Sequence, residues 1–373
     1  MKNNGIMEYF EEVETEEEYN GYFCRIPEVI TIVILGCMCG LKNVKQIHQW
    51  ASNERVSGFL KEEFGISHVP CYYWILCMLK MIKTESLNQC FMDWVYSFVP
   101  EKAKDLKISL DGKTICSTNR IEKCESPLHI ISAQISELGL TLAQRSTDDK
   151  SNEILAVRKL LKELHIKGHI IVADALNCQK ETAEVIIKKK ADYLLCVKGN
   201  HPCLEKDIQD YIQDKILQQS MESDSKTEKN YGRIETRTAY VTTEIGWLEQ
   251  KKDWKNIYCI GAILTEFQTK KGTSSEWHYY ISSRKLTAKE LLHHARMEWA
   301  VESMHWLLDV HFKEDFCLIE SKTVQQHMNM FRKAAINLIK FFKSKTETKR
   351  PVSNIMLDCL IDSSYILRMI DKN

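Results

Sequence analysis

Residues 168–201 read GHIIVADALNCQKETAEVIIKKKADYLLCVKGNH, and their pattern decides the fold. Ile170, Ile171 and Val172 form a short, wholly apolar, β-branched run of the kind covered on both faces in a sheet, and it stops at Ala173 and Asp174. Helical spacing follows through Thr182, Val185 and Ile186, and a second buried run, 193–197, ends in Lys198-Gly199-Asn200-His201. This is a β-α-β unit with polar residues at both strand ends. Ligands of open α/β sheets sit outside the carboxyl ends of the strands, so Asp174 and Lys198 stand where chemistry is usually placed. Taken alone, a strand-end aspartate more often opens a turn or caps a helix.

Upstream, LKISLDGK (106–113) alternates and stops at Asp111-Gly112-Lys113, a strand ending in an acid and a glycine turn. Segments 128–136 (LHIISAQIS) and 140–146 (LTLAQRS) are two more strands joined as a hairpin through Glu137-Leu138-Gly139. Residues 151–153 then open a helix with Ile154, Val157, Leu160, Leu161 and Leu164 on one face. The order β-β-β-α-β-α-β predicts an α/β fold, a mixed sheet with flanking helices. Downstream, 203–217 reads as a helix and 218–229 as a polar loop. Strands at 233–243, 256–265 and 277–282 make a β-rich insertion over about 218–286. From Thr287 the pattern is helical, and a C-terminal helical extension over 346–373 follows a core of 105–345.

Residues 23–104 form a small helical domain, in which Val29, Ile32, Val33, Gly36 and Cys37, then Val44, Ile47, Trp50 and Ala51, keep a 3.6 period. Residues 1–22 are acidic and are expected to be a loosely attached tail. Among 373 residues, Lys plus Arg equals Asp plus Glu at 51 each, so a nucleic-acid partner must be sought in local patches. Fourteen cysteines without a CxxC pair argue for reduced thiols and against zinc. The N-terminus lacks the basic and then apolar pattern of a signal peptide, and the apolar run at 26–40 falls short of the roughly 20 residues that span a bilayer. A soluble cytoplasmic protein without a membrane partner is expected.

The helix around Glu302 carries Trp299, Glu302, Trp306 and Val310 on one stripe, with Met297, Val301, Met304 and Leu308 elsewhere around it, so it is expected to be largely buried and Glu302 with it. A buried carboxylate needs a partner or a metal. Asp111 and Asp174 at strand ends and Glu302 on a helix after an insertion are the acids that two hard divalent cations require for in-line phosphoryl displacement. Each has a plainer reading: Asp111-Gly112 as a turn, Glu302 as the partner of Arg296. The pairs Glu290–His293 and Glu302–His305 resemble di-iron spacing, yet both fall on one helix and no second helix pair supplies the matching glutamates.

The segments LDGKTICS, LHIISAQIS, DDKSNEI, IIVADALNCQKETAEVI, ADYLLCVKGNH, YGRIETR, YYISS and WAVESMHWLLDVHFKED resemble, in order, the motifs of the H-repeat-associated insertion-sequence transposases, a DDE-class family allied to the insertion-sequence-four group. The resemblance implies a ribonuclease-H-like core with Asp111, Asp174 and Glu302 as catalytic and metal-binding residues, and a helical N-terminal transposase-associated domain. It also implies DNA cleavage at insertion-sequence ends and strand transfer into target DNA with two Mg²⁺ ions, or Mn²⁺, by a dimer on DNA in the bacterial cytosol. A DNA-binding protein without catalysis, derived from a transposase, is the alternative. Lys113, Lys198, Asn200, His201, Arg233 and His305 are candidate DNA contacts, and Trp306 is expected to pack in the core rather than against a base. Cys116, His201 and Ser303 depart from the family's usual arginine, glutamine and asparagine, and none of these changes removes an acid.

Overall fold

The run Ile170-Ile171-Val172 is a central strand, buried on both faces. The computed structural model describes residues 5–19, 24–100, 105–120, 127–147, 152–230, 233–269 and 272–370; the side chains of 119, 120, 230 and 295–302 lie outside the described residues. Five helices come first: α1 (Ile26–Met38), α2 (Val44–Ala51), α3 (Glu54–Phe64), α4 (Tyr72–Met81) and α5 (Thr84–Tyr96). Then come β1 (Lys107–Ile115), β2 (Leu128–Ile135), β3 (Leu140–Thr147), α6 (Glu153–Glu163), β4 (Ile170–Ala173), α7 (Lys180–Lys188), β5 (Asp192–Val197), α8 (Pro202–Gln213) and α9 (Lys215–Gln218). Strands β6 (Glu222–Asn230), β7 (Arg233–Thr242), β8 (Cys259–Thr269) and β9 (Gly272–Ser282) lead to α10 (Ala288–Phe312), α11 (Lys322–Thr346), α12 (Val352–Ile361) and α13 (Leu367–Ile370). No described helix is long and apolar enough to cross a membrane.

The chain forms two compact units that cut across the linear division at 104 and 105 expected from the sequence. One comprises 103–111 and 153–302. Its strands run β1-β4-β5-β9-β8-β7-β6, with β1, β4 and β5 parallel and the rest antiparallel. The insertion therefore extends the sheet. Ile170, Val172 and Leu194 share a core with Val241, Ile263, Leu286 and Leu291. Gly261 is needed there, because a Cβ on it would stand 2.7 Å from Leu291 and 3.1 Å from the carbonyl of Tyr240.

The other unit comprises 1–102, 112–152 and 303–373. It takes the second half of β1, beside the antiparallel β2-β3 hairpin, which turns at Gly139 with φ 63°. Buried α1 packs on α11. Gly36 lets α1 approach α2, since a Cβ there would lie 2.8 Å from Ile47. The strand order β3-β2-β1 here and β1-β4-β5 in the first unit is the ribonuclease-H-like α/β arrangement the motifs implied.

Four expectations are corrected. The acidic N-terminal segment is not loosely attached over its described part: Ile6, Met7 and Phe10 are buried, and Phe10 packs 6.1 Å from Trp94. Residues 222–230 form β6 rather than a loop, an all-polar edge strand fixed by nine register pairs with β7, which apolar alternation could not reveal. The strand through Asp111 does not turn at Gly112 but runs on to Ile115. Trp306 and Val310 are exposed, at 58% and 41%, and in this part of α10 it is Met304, Leu307, Leu308 and Phe312 that are buried. The described cysteines are free thiols, most of them buried.

Candidate active site

Strands β1 and β4 are parallel and in register, with Leu110 opposite Ala173. Asp111 follows Leu110 within β1, and Asp174 follows Ala173 just beyond the end of β4. Asp111 is half-buried and Asp174 exposed. The third acid, Glu302, lies on α10 in the same unit, and its side chain falls outside the described residues. Among the described residues no group of three His, Cys, Asp or Glu side chains converges as a metal centre.

The loop carrying Asp174 is tied down from two sides. Asp174 Oδ1 accepts from the Asn177 backbone N–H at 3.2 Å and from Asn177 Nδ2 at 3.0 Å, and the same amide donates to Glu153 Oε1 at 2.9 Å. Thus Asp174 does close an Asx turn, the plainer reading of a strand-end aspartate, while its carboxylate is fixed in orientation. From the end of β5, Asn200 Nδ2 donates to the carbonyls of Ala175 at 2.6 Å and Cys178 at 3.2 Å. His201 Nε2 donates to the Cys178 carbonyl at 2.8 Å, which fixes its tautomer, and the ring stands edge-on to Trp254 at 5.1 Å. Asn200 and His201, candidate DNA contacts by sequence, are therefore braces of the Asp174 loop. Lys198 is exposed beside them.

The remaining candidates fall in both units. Arg233 pairs with Glu235 at 3.4 Å and stacks over Phe267 at 4.9 Å in the inserted strands. Lys113, in the other unit, forms ion pairs with Asp309 and, at 3.2 Å, with the fully buried Glu314. Burial opposes the charge on Lys113, but Glu314 and Asp309 outweigh it and raise its pKa. His305 is half-buried, and burial, then Lys333 and Lys113, push its pKa down to about 3, so it is neutral at pH 7.

Sequence reading missed the polar stripe of α11. Lys333 donates to Ser132 at 2.7 Å and Gln144 at 2.8 Å, Asn337 exchanges two 2.9 Å bonds with the Thr141 backbone, and Arg332 pairs with Glu314 at 2.9 Å. The signal was present: Gln326, Asn329, Lys333 and Asn337 recur at helical spacing beside an apolar face.

A mixed sheet, four further strands that extend it and a long helix after them are the architecture expected of the DDE class. Residues 128–338, more than half of the chain, match the family model described as Transposase DDE domain, and the chain belongs to that family. Asp174 and Glu302 fall inside the matched segment and Asp111 ahead of it. A second model, DDE_Tnp_1-associated, matches residues 7–95. The chain is similar to YbfL of Escherichia coli strain K12, 30% identical over 93% of this chain and 92% of that protein. It is equally similar to YhhI of the same strain, an H repeat-associated protein whose name carries a provisional transposase assignment, at 30% identity and the same two coverages. Among solved structures, a piggyBac transposase synaptic complex with hairpin DNA aligns at a TM-score of 0.46 and 10% identity, over 98% of this chain and 77% of that one.

Proposed function

We infer that the protein is a transposase that cuts DNA at the ends of an insertion sequence and joins those ends to target DNA, with Asp111, Asp174 and Glu302 as its catalytic acids. One observation carries the reading: in the parallel pair of β1 and β4, Leu110 is the register partner of Ala173, and each is followed in sequence by an aspartate. Their donor chemistry fits a hard divalent cation, Mg²⁺ or Mn²⁺, which takes oxygen ligands. A pair of such ions bound there supplies a more acidic water or 3′-hydroxyl as nucleophile and charge stabilisation for the leaving oxygen of an in-line displacement.

The chain's own residues prepare that site. Asn177 orients Asp174 through Oδ1, while Asn200 and His201 hold the loop that carries it. Lys198, exposed at the end of β5, offers a positive charge for a phosphate. No covalent protein–DNA intermediate is required, and joining two ends implies a dimer on DNA.

The test is a cleavage assay with Mg²⁺ on DNA taken from the two flanks of the gene, where the reading expects inverted repeats. Wild type is expected to cut, and Asp174→Asn to lose at least about a thousandfold in rate, the equivalent of several kcal/mol of electrostatic stabilisation, while still binding the DNA. If wild type and Asp174→Asn bind and neither cuts, the enzyme reading fails and a DNA-binding role without catalysis takes its place.

A further inference from the structure

In the unit built from the N-terminal helices lies a groove of about 770 Å³ between the start of α2, α4 and the segment after α10. Its charge is one-sided. Lys42, Lys45, Lys80 and Lys313 line it and are exposed, and Glu320 is the one acid among its lining residues. None of the four lysines has an ion-pair partner among the described residues. In a chain whose positive and negative charges balance at 51 each, this is a local positive field.

Apolar rings lie within that field. Tyr73 and Phe316 are both 66% exposed and both line the groove. An exposed phenylalanine on a floppy loop would mean little, but this one is held. Lys313 adopts a left-handed conformation at φ 51°, and the Phe316 N–H donates back to its carbonyl at 2.9 Å. Glu314, between them, is locked under the surface by Arg332 and Asn329, each at 2.9 Å. The same Arg332 donates through Nη2 to the carbonyl of Lys42 at 3.1 Å, so one buried guanidinium fixes both lips of the groove. Paired, buried Glu314 is unavailable to neutralise the lysines above it.

Preformed aromatic faces among unpaired lysines suit a polyanion that presents flat rings, which is a nucleic-acid strand with unstacked bases. A duplex offers phosphates but hides its bases, and an apolar protein partner has no use for four lysines. We propose that this groove binds an unpaired DNA strand, with phosphates on the lysines and bases on Tyr73 and Phe316. The proposal rests on the reading of the chain as a protein that acts on DNA, and it assigns a strand-holding surface to the unit that carries the N-terminal helices.

The experiment measures fluorescence anisotropy of labelled oligothymidine of about 20 nucleotides, and of a duplex of equal length, with EDTA present so that no catalysis enters. Wild type is expected to prefer the single strand. Tyr73→Ala and Phe316→Ala weaken that binding about tenfold or more, and Tyr73→Trp restores it. The double change Lys42→Gln with Lys80→Gln lowers the slope of log affinity against log salt by about 1.4. Asp174→Asn binds oligothymidine as wild type does, so loss of cleavage and loss of strand binding separate. Far-UV circular dichroism identifies any variant that fails to fold, and Lys45→Gln with Lys313→Gln provides the independent second pair. Wild-type affinity in all folded groove variants overturns the proposal. So does equal binding of the duplex without any effect of Tyr73→Ala, or a Phe316→Ala effect confined to self-association in sedimentation.

Discussion

Exchanging Glu314 for glutamine removes one charge from a network whose other members stay charged. Glu314 is fully buried; Oε1 accepts from Arg332 and Asn329 at 2.9 Å each and Oε2 from Lys113 at 3.2 Å. Burial by itself would raise its pKa, but Arg332 and then Lys113 outweigh burial and hold it at about 2 against an ordinary 4.5. That difference is worth on the order of 3 kcal/mol of folded-state stability at neutral pH, in line with the roughly 3–5 kcal/mol lost when one side of a buried pair is deleted. Because the folded-state pKa lies below the unfolded one, the contribution is fully present above about pH 5 and fades as pH falls through 4.5 toward 2. Urea unfolding of wild type and Glu314→Gln should therefore differ by about 3–5 kcal/mol at pH 7, and the electrostatic share of that gap should fall to under half by pH 3. A gap below about 0.5 kcal/mol at pH 7, or one that does not change with pH, refutes the reasoning.

Asn200→Ala removes both amide bonds to the Asp174 loop; Mn²⁺ affinity and end cleavage should each drop about 10- to 100-fold with little change in melting temperature, and unchanged values would show that the loop holds its shape alone. His294 is buried, and burial, then Lys107 and His293, push its pKa down to about 4, so the unfolded chain binds its proton first and stability is lost as pH falls from about 6.5 to 4. His294→Gln should flatten that part of a melting-temperature profile, and an identical slope would count against the assignment. Gly36→Ala forces a methyl against the β-branched Ile47 and should cost about 1–3 kcal/mol in urea unfolding; a neutral result would mean that α1 and α2 separate freely.

The β-α-β stretch was legible because its two strands are buried on both faces and so are continuously apolar between polar ends, a pattern no amphipathic helix shares. The same logic explains β6. Glu222–Asn230 has no buried face, so its strand character comes wholly from pairing with β7, which lies in another segment of sequence. Asp111-Gly112 suggested a turn because that dipeptide usually makes one; here the strand continues through it. The α10 stripe misled through its tryptophan, a residue whose size suggests burial even where, as at Trp306, it lies open. At the site, spacing and resemblance picked out the acids, two of which directly follow the paired Leu110 and Ala173. The roles of Asn200, His201 and Lys113 were not legible, because a polar side chain looks the same in sequence whether it awaits a phosphate or binds a carbonyl or carboxylate of its own chain.

The central claim is that Asp111, Asp174 and Glu302 form one divalent-cation site, and titration of the DNA-free protein with Mn²⁺, read by electron paramagnetic resonance of the free ion, tests it most directly. The account predicts saturable binding by wild type, lost together in Asp111→Asn, Asp174→Asn and Glu302→Gln while circular dichroism is unchanged. Full Mn²⁺ binding by all three folded variants would contradict it.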